Sequence, residues 1–258
     1  MKRRSTSFRY YLDLVSVLTQ KEIKVRYKNS FFGYLWSVAY PVAFTFVFFV
    51  AFKIVMKVPM ENYPLFLISG LFPWQWFSNS VLSSSTCFLA NASLIKKLTF
   101  PRLVIPLVSV LNEMIHFVLS VPVVIIFLVY YGSRPCTSLL YWFPILLSVQ
   151  FLLTYGISLA VGSINLFFRD LERLVGILTT LIFYFTPIIY SEEMVPGSLR
   201  GLLKLNPVAP IMVNWRNLFL NGTIDHRLLL YSFCHAIVFF LFGYVVYRRL
   251  SVRFAEAI

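Results

Sequence analysis

Residues 31–52 contain no Asp, Glu, Lys, Arg or His. As an α-helix this stretch is about 33 Å long at ~1.5 Å per residue, enough to cross a hydrocarbon core of ~30 Å. Lys21, Glu22, Lys24, Arg26 and Lys28 stand just before it. Basic residues beside an apolar rod stay on the cytoplasmic side, so the pattern predicts a membrane span entered from the cytoplasm.

The same alternation continues along the chain. Apolar runs predict further spans at about 63–89, 105–131, 139–168, 174–190 and 228–247, with the first extending over 31–56. The fold class expected is all-α integral membrane, with six transmembrane helices. Of 258 residues, 59% are apolar and 13% charged, with a mean hydropathy of +0.78. Soluble domains carry about 25% charged residues, so no large soluble domain fits between the spans. The division expected is a cytoplasmic segment over 1–30, a transmembrane domain over 31–251 and a short tail over 252–258.

Six spans put both termini on one side. Sixteen of the 23 Lys and Arg fall on that side and seven on the other, which predicts cytoplasmic termini. This bias also accounts for the net charge of +13 without a nucleic-acid partner. The first 20 residues show no apolar run followed by a cleavage site, so no signal peptide is expected.

Three connecting segments carry patterns of their own. In 11–27, Tyr11, Leu14, Val15 and Leu18 share one helical face, Lys21, Lys24 and Lys28 form a basic stripe, and Glu22 and Arg26 sit at i, i+4. This is an amphipathic helix lying along the membrane surface; a basic anchor with no further role is the plainer alternative. Residues 91–102, with Lys96, Lys97, Pro101 and Arg102, read as a short basic cytoplasmic loop with room for about two helical turns. Residues 191–227 are too apolar for a solvated loop. Leu199, Leu202 and Leu203 suggest one short helix, Asn206-Pro207 and Pro210 interrupt it, and Ile211, Trp215, Leu218 and Phe219 mark a second. The expectation is a re-entrant hairpin before the last span.

Catalytic patterns are missing. There is no phosphate loop, no HExxH, no G-x-S-x-G and no Cys/His metal cluster. Cys87, Cys136 and Cys234 are scattered and read as small packing residues. Glu113 is the one acid inside a predicted span, roughly 12 Å deep at ~1.5 Å per residue, and His116 lies one turn on. An interhelical hydrogen-bond anchor is favoured over a proton relay, which needs a longer chain of such groups. Trp36, Tyr40, Phe44, Phe48 and Phe52 recur at i+4 in the first span, and at ~3.6 residues per turn they spiral partway round the helix. Most serve packing and the interfacial belt; any that face a pore offer sugar rings a greasy surface.

Four stretches together resemble the membrane subunit of type-2 ABC exporters for polysaccharides, most nearly the O-antigen branch. They are KEIKVRYKNSFFGYLWSVAYP (21–41), GLFPWQWFSNS (70–80), NLFFRDLERLVGILTTLIFYFTPIIY (165–190) and LNPVAPIMVNWRNLFLNG (205–222). The resemblance implies a homodimeric permease in the bacterial inner membrane with two cytoplasmic ATPase subunits beneath it. ATP and Mg would sit on those partners, with no cofactor or metal on this chain. The cargo implied is a polysaccharide on undecaprenyl pyrophosphate.

The resemblance also distributes roles. Lys21, Glu22 and Arg26 on the interface helix, with Asn91, Lys96 and Lys97 on a coupling helix, would meet the ATPase. Tyr40, Phe44, Tyr184 and Tyr190 would line the channel. Lys24, Arg26 and Lys28 would attract the pyrophosphate at the cytoplasmic mouth. A capsule, teichoic-acid or drug exporter of the same fold is the nearest alternative. An intramembrane enzyme of lipid-linked sugars and a proton-coupled transporter are more distant ones.

Overall fold

The computed structural model describes residues 8–26, 28, 35–55, 57, 62–98, 100–132 and 136–254; the side chains of residues 8, 37, 38, 40, 41, 52 and 53 lie outside that description. Among the described residues every regular element is helical. In order these are α1 (Phe8–Arg26), α2 (Leu35–Phe48), a π-helical continuation (Phe49–Val55) and α3 (Tyr63–Ala90). There follow α4 (Ala92–Lys97), α5 (Val104–Tyr130), α6 (Leu139–Asn165) and α7 (Leu171–Phe185). The chain closes with α8 (Arg200–Leu205), α9 (Ala209–Asn221) and α10 (His226–Leu250).

Local chemistry explains where these helices stop. Thr186 ends α7 in an extended conformation, as a residue before proline must, since Pro187 crowds the α region. Gly222 ends α9 with φ of 65°, a left-handed turn that glycine takes without a Cβ clash. Asp225 caps α10 by accepting from the backbone N–H groups of Arg227 and Leu228 at 2.8 and 3.1 Å. Asn165, at the end of α6, accepts from the Glu172 N–H at 2.9 Å and so ties the start of α7 back to it.

The long helices alternate in direction between two ends of the bundle. At one end, Ile95, Ile105, Leu166 and Phe254 are buried together, which gathers α4, the start of α5, the end of α6 and the end of the chain. At the other, the Tyr63 hydroxyl donates to the Ile189 carbonyl at 2.8 Å and the Ser138 hydroxyl to the Gly222 carbonyl at 2.6 Å. Helix α3 is central, packed by α2, α5, α6, α7 and α9. Helices α6 and α10 approach most closely: a Cβ on Gly243 would stand 1.9 Å from the Gly156 carbonyl oxygen. Paired glycines of this kind let helix backbones touch where lipid offers no hydrophobic drive for association.

Three described segments are long and apolar enough to cross a membrane: Val104–Tyr130, Leu139–Asn165 and His226–Arg253. Helix α3 has the length, but Ser78, Asn79, Ser80, Ser83, Ser84 and Ser85 dilute its second half. Helix α7 stops at Phe185 and is shorter than the apolar run continuing to Tyr190, because Pro187 breaks it.

Candidate functional site

Of the residues assigned to the interface and coupling helices, Lys21, Glu22, Arg26 and Asn91 come together at the α4 end of the bundle. The C-terminal part of α1 lies against α5. The Lys21 ammonium donates to Asn91 Oδ1 at 3.2 Å, while Asn91 Nδ2 donates to the Cys87 carbonyl at the end of α3. Arg26 Nη1 donates to Glu113 Oε1 at 2.5 Å, with the Arg26 side chain 42% exposed and that of Glu113 only 6%. Asn79 of α3 stands beside the same carboxylate. Glu113 therefore takes its charged partner from another helix, 87 residues away in sequence. His116, the neighbour that spacing along α5 suggested, is buried one turn on.

A cavity of about 420 Å³ opens between these elements, lined by Lys21, Glu22, Arg26, Ser83, Asn112 and Glu113 among others. It holds cations and carboxylates in balance, a poor receptacle for an isolated anion. Burial raises the Glu22 carboxyl above its ordinary range, and the charges of Lys21 and Arg26 pull it back. Lys24, Lys28, Lys96 and Lys97 are exposed, outside this cluster. Among the described residues no group of three His, Cys, Asp or Glu is placed to hold a metal.

At the opposite end a second polar assembly joins α9 to its surroundings. Asn206 Nδ2 donates to the Phe185 carbonyl and to Thr186 Oγ1, while its Oδ1 accepts from the N–H groups of Val208 and Ala209. One amide thus seals the end of α7 and the start of α9. Asn214 and Asp225 exchange a pair of bonds, side-chain amide to backbone in both directions. Arg216, 5% exposed, donates from Nη2 to the Ile188 carbonyl at 2.8 Å and lies 3.7 Å over the Phe66 ring. Below it, Trp215 Nε1 donates to Gln150 Oε1 at 2.5 Å and Gln150 Nε2 donates to the Pro73 carbonyl at 2.8 Å. Gln150 has no exposed surface, nor has Trp215. Sequence reasoning missed Gln150, Asn206 and Asn214 as joints; for Gln150 and Asn214 a lone amide inside a helix was the available signal, because it must find partners, whereas Asn206 was visible only as part of the break before Pro207.

The aromatic candidates divide. Phe44 contacts Phe48 at 5.5 Å, Phe48 contacts Phe183 at 6.0 Å, and Phe183 contacts Tyr184 at 5.3 Å, so rings link α2 to α7. Phe44 is 39% and Tyr184 57% exposed; the Tyr190 hydroxyl donates to the Tyr184 carbonyl at 3.2 Å. The Tyr40 side chain lies outside the described residues. Leu174, Ile177, Leu178 and Leu181 are also exposed on α7, an apolar face that this single chain leaves uncovered.

Comparison with known proteins adds to this geometry. The family described as ABC-2 type transporter matches residues 13–220. An O-antigen export system permease protein RfbA of Klebsiella pneumoniae is 45% identical over 247 residues, covering 96% of this chain and 95% of that one. A protein of the same name from Myxococcus xanthus is 34% identical over 220 residues, covering 84% and 83%. The polysialic acid transport protein KpsM of Escherichia coli is 23% identical over 245 residues, covering 91% and 92%.

Proposed function

This chain belongs to the ABC-2 type transporter family, and on that premise we propose that it is the permease subunit that carries lipid-linked O-antigen polysaccharide outward across the inner membrane. The end-to-end identity with permeases named for O-antigen export carries the cargo assignment. The chain is a multi-pass membrane protein and not itself an enzyme. ATP and Mg are handled by separate cytoplasmic ATPase subunits.

Six helices cross the bilayer: α2 with its π-helical continuation, α3, α5, α6, α7 and α10. The alternating directions of these helices and the bias of basic residues support this arrangement, with both termini cytoplasmic. Two copies assemble about a shared path. Phe44 and Tyr184 stand on the helices that border that path, together with Tyr40 and Tyr190. Helix α9, buried along most of its length, forms the deep arm of a re-entrant hairpin at the outer end.

The work is mechanical. Closure of the ATPase moves α1 and α4, and rigid helices carry the displacement to the path. Exposed Lys24 and Lys28 attract the pyrophosphate headgroup at the cytoplasmic mouth, with Arg26 at its edge.

The test is genetic and biochemical. Cells without this chain accumulate lipid-linked polymer on the inner face of the membrane and lose surface O-antigen; restoring the chain restores it. Vesicles holding this chain and its ATPase export the polymer only with ATP. Export by the chain alone, or normal surface O-antigen in its absence, refutes the proposal.

A further inference from the structure

We infer that the pairs Arg26–Glu113 and Lys21–Asn91 form a clasp through which movement of α1 is delivered at once to α5 and to the α3–α4 junction, so that opening it separates ATP hydrolysis from export. The inference rests on the permease reading above and assigns the connection that reading needs.

Helix α1 spans 19 residues, about 28 Å at ~1.5 Å per residue. Its two clasp residues both lie in its last six positions. Toward its start, Tyr10, Leu12 and Val17 are exposed. A helix held near one end and presenting its other end outward behaves as an arm with a fixed root. Force applied along it is transmitted where it is fastened.

The fastening has two properties suited to transmission. First, it reaches different elements: Asn91 is the hinge residue between α3 and α4, and Glu113 lies in the third predicted span. Asn91 is itself anchored to the Cys87 carbonyl, so a pull on Lys21 acts on backbone and not on a loose side chain. Second, Glu113 is almost wholly buried, and its charge is met by Arg26. A buried carboxylate strongly resists separation from its cation, because the alternative leaves a charge uncompensated in a poor solvent. The adjoining cavity, with Asn112 Oδ1 buried and unpartnered in its wall, gives the side chains room to shift without repacking apolar neighbours.

The experiment uses the full complex in vesicles and reads polymer exported per ATP hydrolysed. Glu113→Gln keeps the shape and removes the charge. It is expected to lower the ratio roughly tenfold, inside the span of effects seen for residues that carry coupling. Arg26→Gln is expected to match it, and Arg26→Lys, which keeps the charge, to retain most of the parental ratio. The double exchange Arg26→Glu with Glu113→Arg is expected to recover part of the loss. The proposal is overturned if Glu113→Gln exports at the parental ratio, if Arg26→Lys is as impaired as Arg26→Gln, or if Glu113→Gln fails to retain the ATPase subunit. Failure of the parental complex itself to export with ATP strikes the permease reading instead, which keeps the two outcomes apart.

Discussion

Gln150 offers a sharp test of how the half of the bundle around α9 is held. Its amide donates to the Pro73 carbonyl and accepts from the Trp215 indole, joining α3, α6 and α9 with no exposed surface. Gln150→Leu conserves volume approximately and abolishes both bonds; it strands the indole N–H, while the Pro73 carbonyl keeps the Phe77 N–H of its own helix. Interhelical hydrogen bonds in membranes average about 0.6 kcal/mol and reach ~1.7, and a buried orphaned group costs ~1–3 kcal/mol. Taking about 1–3 kcal/mol for the stranded indole and ~0.6 kcal/mol for the second lost bond gives roughly 2–4 kcal/mol. At ~2–4 °C per kcal/mol, the thermal midpoint in detergent falls by roughly 4–16 °C. Trp215→Phe strands only the Gln150 carbonyl oxygen. In the double variant the two losses overlap, so the sum of the singles exceeds the double by about 1–2 kcal/mol. A midpoint for Gln150→Leu within error of the parent, or strict additivity in the cycle, refutes the reasoning.

Three further outcomes follow from the packing. Gly243→Ala places a methyl 1.9 Å from the Gly156 carbonyl and is expected to cost at least ~1–3 kcal/mol in thermal unfolding, whereas Gly176→Ala, with nothing within 4 Å, is tolerated. Arg216→Met removes the bond to Ile188 and the stacking on Phe66, and Arg216→Lys cannot rebuild the planar contact; both are expected to speed proteolysis in 191–205, with the thermal midpoint of Arg216→Met also lowered. Phe254→Ala empties a fully buried site packed by Phe88 at 4.8 Å and is expected to cost ~3–5 kcal/mol by thermal unfolding, loosening α4 through Ile95 of the same cluster.

The helices were readable because their signals are local. The runs at 63–89 and 105–131 and the amphipathic pattern at 11–27 match α3, α5 and α1 within a few residues. Pro187 and the Asn206-Pro207 pair were visible as breaks. Their positive roles were not: Asn206 binds the end of one helix to the start of another, a geometry that depends on the chain returning 20 residues later. Glu113 stood out as an acid in an apolar run, but its partner lies on a helix whose docking no periodicity along α5 can indicate. Arg216 counted only as one more cation on the outer side, and its burial over Phe66 emerges from the fold alone. Local composition shows which groups need partners, and tertiary structure decides which ones they get.

The contact between Gly156 and Gly243 has a mechanical consequence. Backbones that touch with no side chain between them neither slide nor part cheaply, so α6 and α10 act as the stator of the molecule. Any widening of the bundle then falls to the other side of α3, where α2 and α7 meet each other through the rings of Phe48 and Phe183.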